Sequence, residues 1–455
     1  MPGSTLDQIP GPPVSSWWKG HQAQMSNLKD GWSFHQMLAD NYGPVVRLQT
    51  VFRRNVFYTF DPKAMNHILL KEMNSFPPTR IETGNIFLGN GLLGTVGEVH
   101  RKQRKMLNPV FSITYMRSIM PMFSDIAKKL ENALNKRVQS GPAEIDLLGW
   151  MARTALELIG QSGFGYSFDN MEDDVPKHKY SFVIKDVGQT LTLLMNAVPW
   201  KAVHDVRDMV MYMHEFSVKI YEEKKRALEE GDEAVMRQLG QGKDILSILM
   251  KDNIEAGVED KLDEDEIIAQ FCTALDILWT WLSRTFIFAA MDTTSLLTLH
   301  PDVQDKMRQE ISQARREREG EKLSYDELVS LPYLDAVCRE TMRLISRAME
   351  DSVVPLSKPW KSERWLSSLP DSITNAKIPG VYSHLMTFNG GGRSCIGFKF
   401  SQLEMKVIIS MLVEKFKFSP APGKDIVWLM AGISSPVVVG GDGHPKLPLL
   451  VESAK

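Results

Sequence analysis

The residue that most constrains this chain is Cys395, set in Phe388-Asn389-Gly390-Gly391-Gly392-Arg393-Ser394-Cys395-Ile396-Gly397. Apolar Phe400, Leu403, Val407 and Met411 follow at spacings of three and four, so the run after the cysteine reads as an amphipathic helix that buries one face. A thiol where a helix starts lies at the positive end of the backbone dipole. Glycines on either side let the main chain come close to a flat ligand and aim N–H groups at the sulfur. A cysteine needs those conditions to serve as an anionic axial ligand to haem iron. A glycine-rich turn around a buried cysteine has the same spacing, and for an isolated C-x-G it is the better reading. A phosphate loop is a weaker rival, because no G-K-[ST] follows and no G-x-G-x-x-G is completed.

Composition narrows the choice. With 455 residues, 43% hydrophobic and 24% charged, the chain can bury a large core, and no linker divides it. A formal net charge of -3 argues against nucleic acid as a partner. The three cysteines, Cys272, Cys338 and Cys395, are too few for a disulfide framework and point to a reducing compartment. Cys272 and Cys338 sit in apolar helical surroundings and read as core. The first residues lack the basic and apolar blocks of a signal peptide. The most apolar stretch, Asp276 to Met291, is interrupted by Arg284, so no membrane-crossing anchor is expected.

Along the chain, Val45–Thr50 and Asn55–Phe60 are β-rich runs about a polar turn, which predicts a hairpin. Asp61-Pro62 predicts an N-cap and first helical position for Lys63 to Leu70. Phe123, Ile126, Leu130 and Leu134 mark an amphipathic helix from Met122 onward, ended by Gly141-Pro142. Helical periodicity also covers Ala152 to Gly160, Val206 to Leu228 and Lys243 to Met250, and the polar Gly231 to Gly242 interval reads as a solvated loop. Val427 to Val439 and Leu447 to Val451 look extended. The expected architecture is mainly α with a small β portion placed at the two ends. Residues 1–30 form a proline-containing N-terminal segment, and 31–455 one large helical domain.

Phe388, Gly391, Arg393, Cys395 and Gly397 together match F-x-x-G-x-R-x-C-x-G, and the chain closely resembles the haem-thiolate monooxygenases of the cytochrome P-450 family, in particular fungal microsomal members. The resemblance implies haem b (iron protoporphyrin IX) with Cys395 as its proximal metal ligand, Phe388 shielding the sulfur and Arg393 on a propionate. In Phe286-Ile287-Phe288-Ala289-Ala290-Met291-Asp292-Thr293-Thr294, small residues leave room for dioxygen and an acid beside an alcohol can pass protons. Any helix with a threonine back-bond could carry such a string. The resemblance gives the acid role to Asp292 and the alcohol role to Thr293, with Ala290 in place of the usual glycine.

Glu340 and Arg343 are i,i+3 neighbours, an ordinary surface pair when taken alone. Trp360-Lys361-Ser362-Glu363-Arg364-Trp365 resembles the family's P-E-R-F/W segment with Ser362 replacing proline. The resemblance then implies a buried triad of Glu340, Arg343 and Arg364 that braces the cysteine loop. His100 and Arg104, one turn apart, can reach one anion or form part of a solvated basic helix. The resemblance makes them propionate partners, with His100 where many members have Trp. Arg101, Lys102 and Lys105 form a candidate face for an acidic electron donor.

Three places depart from the family pattern. Only 20 positions separate Arg343 from Glu363, where the family has a much longer stretch. His300-Pro301 ends the central helix soon after Thr294. Ala274 to Thr285 looks like extra sequence. The leading expectation is a monooxygenase that inserts one atom of O2 into a small apolar organic substrate, with electrons from an NADPH-dependent flavoprotein reductase. The chain is expected to be a monomer with peripheral membrane contact. The resemblance places it at the endoplasmic reticulum membrane, and the lack of an anchor otherwise places it in the cytoplasm. The rivals are a haem-binding but catalytically impaired member and a non-enzymatic helical interaction protein.

Overall fold

A computed structural model describes residues 8–14, 16, 18–25, 27, 31–50, 54–76, 89–176, 178–179, 200–230, 244–273, 294–295, 297–345, 360–430 and 434–454. The chain divides into two compact units. The first holds Met1–Phe76, Pro332–Cys395 and Gly423–Leu447, and the second Pro77–Leu331, Ile396–Pro422 and Pro448–Lys455. Helices dominate, and the mainly α architecture with a small β portion is as expected.

The first unit opens with the predicted hairpin, β1 (Val45–Gln49) antiparallel to β2 (Asn55–Thr59), with Val46 opposite Tyr58. Alternation turns Val46 and Leu48 inward, where they join Phe34 and Leu38 of the Gly31–Tyr42 helix in a small core. Asp61 then caps the next helix, Pro62–Asn66: its carboxylate accepts from the Ala64 amide at 2.7 Å, and Pro62 needs no intrahelical partner. The chain continues as a π-turn, His67–Lys71.

In the second unit the Ile113–Val138 helix starts nine residues before the Met122 expected from sequence. Ser112 caps it by accepting from the Tyr115 amide, and Pro121 lies within it. The proline masked the first two turns in the periodicity, because an interior proline normally ends a helix. Phe123 meets Phe400 of the Phe398–Lys415 helix edge-to-face, ring centres 5.2 Å apart. The sequence-predicted helices at 152–160, 206–228 and 243–250 are longer in the structure, as Leu147–Phe164, Trp200–Glu230 and Ile245–Glu255. The Gly231 to Gly242 loop lies outside the described residues.

One expectation about strands is corrected. Besides the ends, β structure occurs mid-chain: β3 (Ala143–Asp146) pairs antiparallel with β9 (Pro448–Ser453), which also pairs with β6 (Phe416–Pro420) in the order β3-β9-β6. Four residues give too short an alternation to read, and the partner is about 300 residues away. The first unit contains two further hairpins, β4–β5 (Gly380–Tyr382 and Leu385–Gly390) and β7–β8 (Ile426–Met430 and Ser434–Val438).

Two buried ionisable groups of the second unit, Glu157 and Lys224, have partners. Glu157 accepts from the Phe168 and Asp169 amides at 2.8 and 2.9 Å and from the Ser167 hydroxyl. Lys224 donates to Asp244 at 2.9 Å and Ser247 at 3.0 Å, and burial lowers its pKa. Among the described residues no helix is long and apolar enough to cross a membrane.

The cysteine loop as candidate functional site

The segment that presents Cys395 starts at β4 and β5. Their two-residue turn is Ser383-His384, with φ of 53° and 59°, a backbone that Gly or Asn usually supplies. Sequence reading missed this hairpin because neither signal is present. The chain turns at the end of β5 through Asn389 (φ 56°) and just past it through Gly391 (φ 67°). A Cβ on Gly391 would stand 2.0 Å from the Leu69 carbonyl oxygen, and one on Gly390 would stand 2.2 Å from that of Pro379. These two glycines therefore admit backbone against backbone, a close approach within the unit itself.

The loop closes on itself. The Cys395 amide donates to the Phe388 carbonyl at 2.8 Å and the Ser394 amide to that of Gly391 at 3.1 Å. The Phe388 ring, 1% exposed, packs edge-on to Tyr382 at 5.7 Å. Cys395 is half-buried and in no disulfide. Gly397 is the N-cap of the Phe398–Lys415 helix, whose predicted inward residues Phe400, Leu403, Val407 and Met411 are all buried.

Beside the loop stands the Pro332–Ile345 helix, in the same unit. Its Glu340 is wholly buried and takes five N–H donors. Oε1 accepts from Arg343 Nη2 and the Lys361 amide at 2.9 Å and from Arg364 Nε at 3.0 Å. Oε2 accepts from Arg343 Nε at 2.9 Å and from the Trp365 indole at 2.8 Å. The expected triad of Glu340, Arg343 and Arg364 is therefore assembled. Sequence reasoning missed the indole donor, although the aromatic position of the P-E-R-F/W segment was its signal. Thr387 of β5 donates to the Met342 carbonyl at 3.5 Å, tying this helix to the strand that leads into the cysteine loop.

His100 and Arg104 lie in the second unit on the Gly97–Leu107 helix, His100 buried and Arg104 half-buried on the same side. Two basic residues of that helix already have partners: Arg101 meets Glu98 at 3.4 Å and Lys105 meets Asp260 at 2.7 Å. The anchor that sequence reading missed is Gln103, whose amide donates to the Asn90 carbonyl at 2.8 Å and to Glu266 at 3.0 Å. A lone glutamine in a basic run gives no sequence signal. Asp292 and Thr293 lie outside the described residues, as do the residues from Ala274 to Thr285. Thr294, the next residue, is buried, and Pro301 starts a new helix, Pro301–Arg316.

The donor set is one half-buried sulfur on a rigid loop. Among the described residues no group of three or more His, Cys, Asp or Glu can hold a metal ion. A single sulfur of this kind fits a macrocycle that supplies the other ligands, and does not fit a protein-only metal cage.

Comparison with known proteins gives the class. The Cytochrome P450 family model matches residues 10–350 and 358–436, so this chain belongs to the cytochrome P450 family. Among its relatives, Cytochrome P450 monooxygenase 91 of Postia placenta is 42% identical, with 99% of this chain and 95% of the relative covered. Cytochrome P450 monooxygenase 81 of the same fungus is 40% identical, covering 98% and 93%. Ganoderic acid synthetase CYP5150L8 of Ganoderma lucidum is 37% identical, covering 99% and 94%. The protein is a haem-thiolate monooxygenase that binds haem b and uses O2, an organic substrate and a redox partner. That sets aside the non-enzymatic reading. The alignment with the first relative spans 531 positions against 455 residues here, so at least 76 positions have no counterpart in this chain. The unmatched 351–357 fall inside the short Arg343 to Glu363 interval.

Proposed function

We propose that Cys395 is the proximal ligand to haem iron in a single haem-thiolate domain spanning residues 31–455. Gly391 and Gly397 flank it, and Phe388 would shield the sulfur. Arg393, His100 and Arg104 are the residues that would hold the propionates. The observation that carries this reading is the 2.8 Å bond from the Cys395 amide to the Phe388 carbonyl, which fixes the main chain that presents the sulfur. Haem, when bound through sulfur, would supply the activation of O2 and the insertion of one of its atoms into the substrate, the other being reduced to water with electrons from the redox partner.

The chain's own part is positional and protonic. The Glu340 cluster keeps the loop in place, the buried His100 and the half-buried Arg104 offer N–H donors to carboxylates, and Asp292 and Thr293 deliver protons from a carboxyl and a hydroxyl. The substrate is small and apolar, the electrons come from an NADPH-dependent flavoprotein, and the protein works as a monomer in peripheral contact with the endoplasmic reticulum membrane. This last group of assignments rests on family resemblance.

The test of the ligand is the carbon monoxide difference spectrum of the reduced, hemin-reconstituted protein. The native chain should give a thiolate-type Soret band and Cys395→Ser should abolish it. An unchanged band in the variant would refute the assignment. A second reading, haem binding with impaired turnover, is favoured by the 76 or more missing positions. A thiolate-type band with no spin-state shift across a panel of apolar ligands, and no reductase-driven product, would select it.

A further inference from the structure

Trp365 reaches the cysteine strand by two routes, both inside the first unit. Its indole N–H donates at 2.8 Å to Glu340 Oε2, where, among the described residues, only one other donor, Arg343 Nε, is bonded. Glu340 belongs to the Pro332–Ile345 helix that Thr387 ties to β5. The indole face lies 6.0 Å from the Arg339 guanidinium, which also stands 5.5 Å from the Tyr382 ring. Tyr382 in turn packs on Phe388, whose carbonyl holds the Cys395 amide.

From this we infer that Trp365 is a positioning residue for Cys395, acting through its indole N–H on Glu340. A carboxylate oxygen with two donors has its direction fixed; with one it can swing toward the three donors on Oε1, and Arg343 swings with it. Arg343 is 2% exposed and its Nη1 has no hydrogen-bond partner among the described residues, so no second anchor on that nitrogen restrains the guanidinium. The phenylalanine the family also accepts at this position keeps the ring and lacks the bond. The inference rests on Cys395 being the iron ligand.

The variant that isolates the bond is Trp365→Phe, in the full-length, hemin-reconstituted protein. The expected result is a thiolate-type carbon monoxide complex that converts to the non-thiolate form about tenfold faster than in the native chain, the size expected for losing a hydrogen bond to a charged group. Trp365→His, which restores a ring N–H, should recover most of that difference. Native conversion rates in Trp365→Phe overturn the inference. So does equal impairment of the Phe and His variants, including failure of both to fold, because the ring's bulk and not its N–H would then matter. Cys395→Ser run in parallel separates the two claims. If it keeps a thiolate-type band the ligand assignment fails, and if it loses the band while Trp365→Phe behaves as native, only the role of Trp365 fails.

Discussion

Two buried glutamates show two ways for a helix to carry an acid inside this protein. Glu340 meets two guanidinium groups, an indole and a main-chain amide, so every lone pair directed inward has a donor. Glu404, on the Phe398–Lys415 helix, is 2% exposed, and its Oε1 has no hydrogen-bond partner among the described residues. Burial alone pushes its pKa up to about 8. The first acid organises its neighbours by charge, while the second stays in the core by keeping its proton. Burial therefore says little about an acid's role until its donors are counted.

The largest effect should follow from taking the carboxylate out of the paired site. Glu340→Ala leaves Arg343 buried without its counter-charge and should cost about 3–5 kcal/mol in urea unfolding. A loss under about 1 kcal/mol would mean the cluster is dispensable.

Glu404→Gln tests the other site through pH. In the folded protein the carboxyl holds its proton up to about pH 8, whereas an unperturbed glutamate titrates at 4.5. Unfolding then releases a proton between those limits. The group's contribution is whole below about 4.5 and is lost as pH climbs toward 8. The native chain should therefore lose ground to the glutamine variant by roughly 1.4 kcal/mol per pH unit across that window. Parallel curves of stability against pH for the two proteins would contradict a protonated Glu404.

The smallest effect belongs to the edge of the Glu340 cluster. The Ser362 hydroxyl lies 3.3 Å from the Tyr333 hydroxyl and 3.4 Å from the Glu363 carboxylate, long contacts that share its one hydrogen and stand where the family has proline. Ser362→Ala should cost under about 1 kcal/mol and leave the thiolate-type band unchanged. A larger loss would extend the cluster beyond the carboxylate.

What was legible in the sequence was local. The β1–β2 hairpin, the Asp61 cap and the inward face after Cys395 follow from neighbours within a few positions. Glu404 itself could have been found, since it stands one turn from both Phe400 and Val407 on that inward face. The Glu340 triad was legible only through family resemblance, because i,i+3 spacing does not distinguish a buried pair from a surface one. The Ser383-His384 turn and the pairing of β3 with β9 left no pattern, and the Trp365 bond left only the aromatic position of the P-E-R-F/W segment. A bond to a residue 25 positions away, a left-handed backbone without glycine and a strand of four residues are each set by tertiary structure.

That last pairing also bears on how the protein is made. The middle strand of the β3-β9-β6 sheet is supplied from residue 448 onward. While translation is under way, Ala143–Asp146 and Phe416–Pro420 are open edges that any passing strand can occupy. The sheet forms only after residues 448–453 leave the ribosome. A tag or truncation that disturbs 448–453 would therefore expose two sticky edges at once and show up as aggregated product.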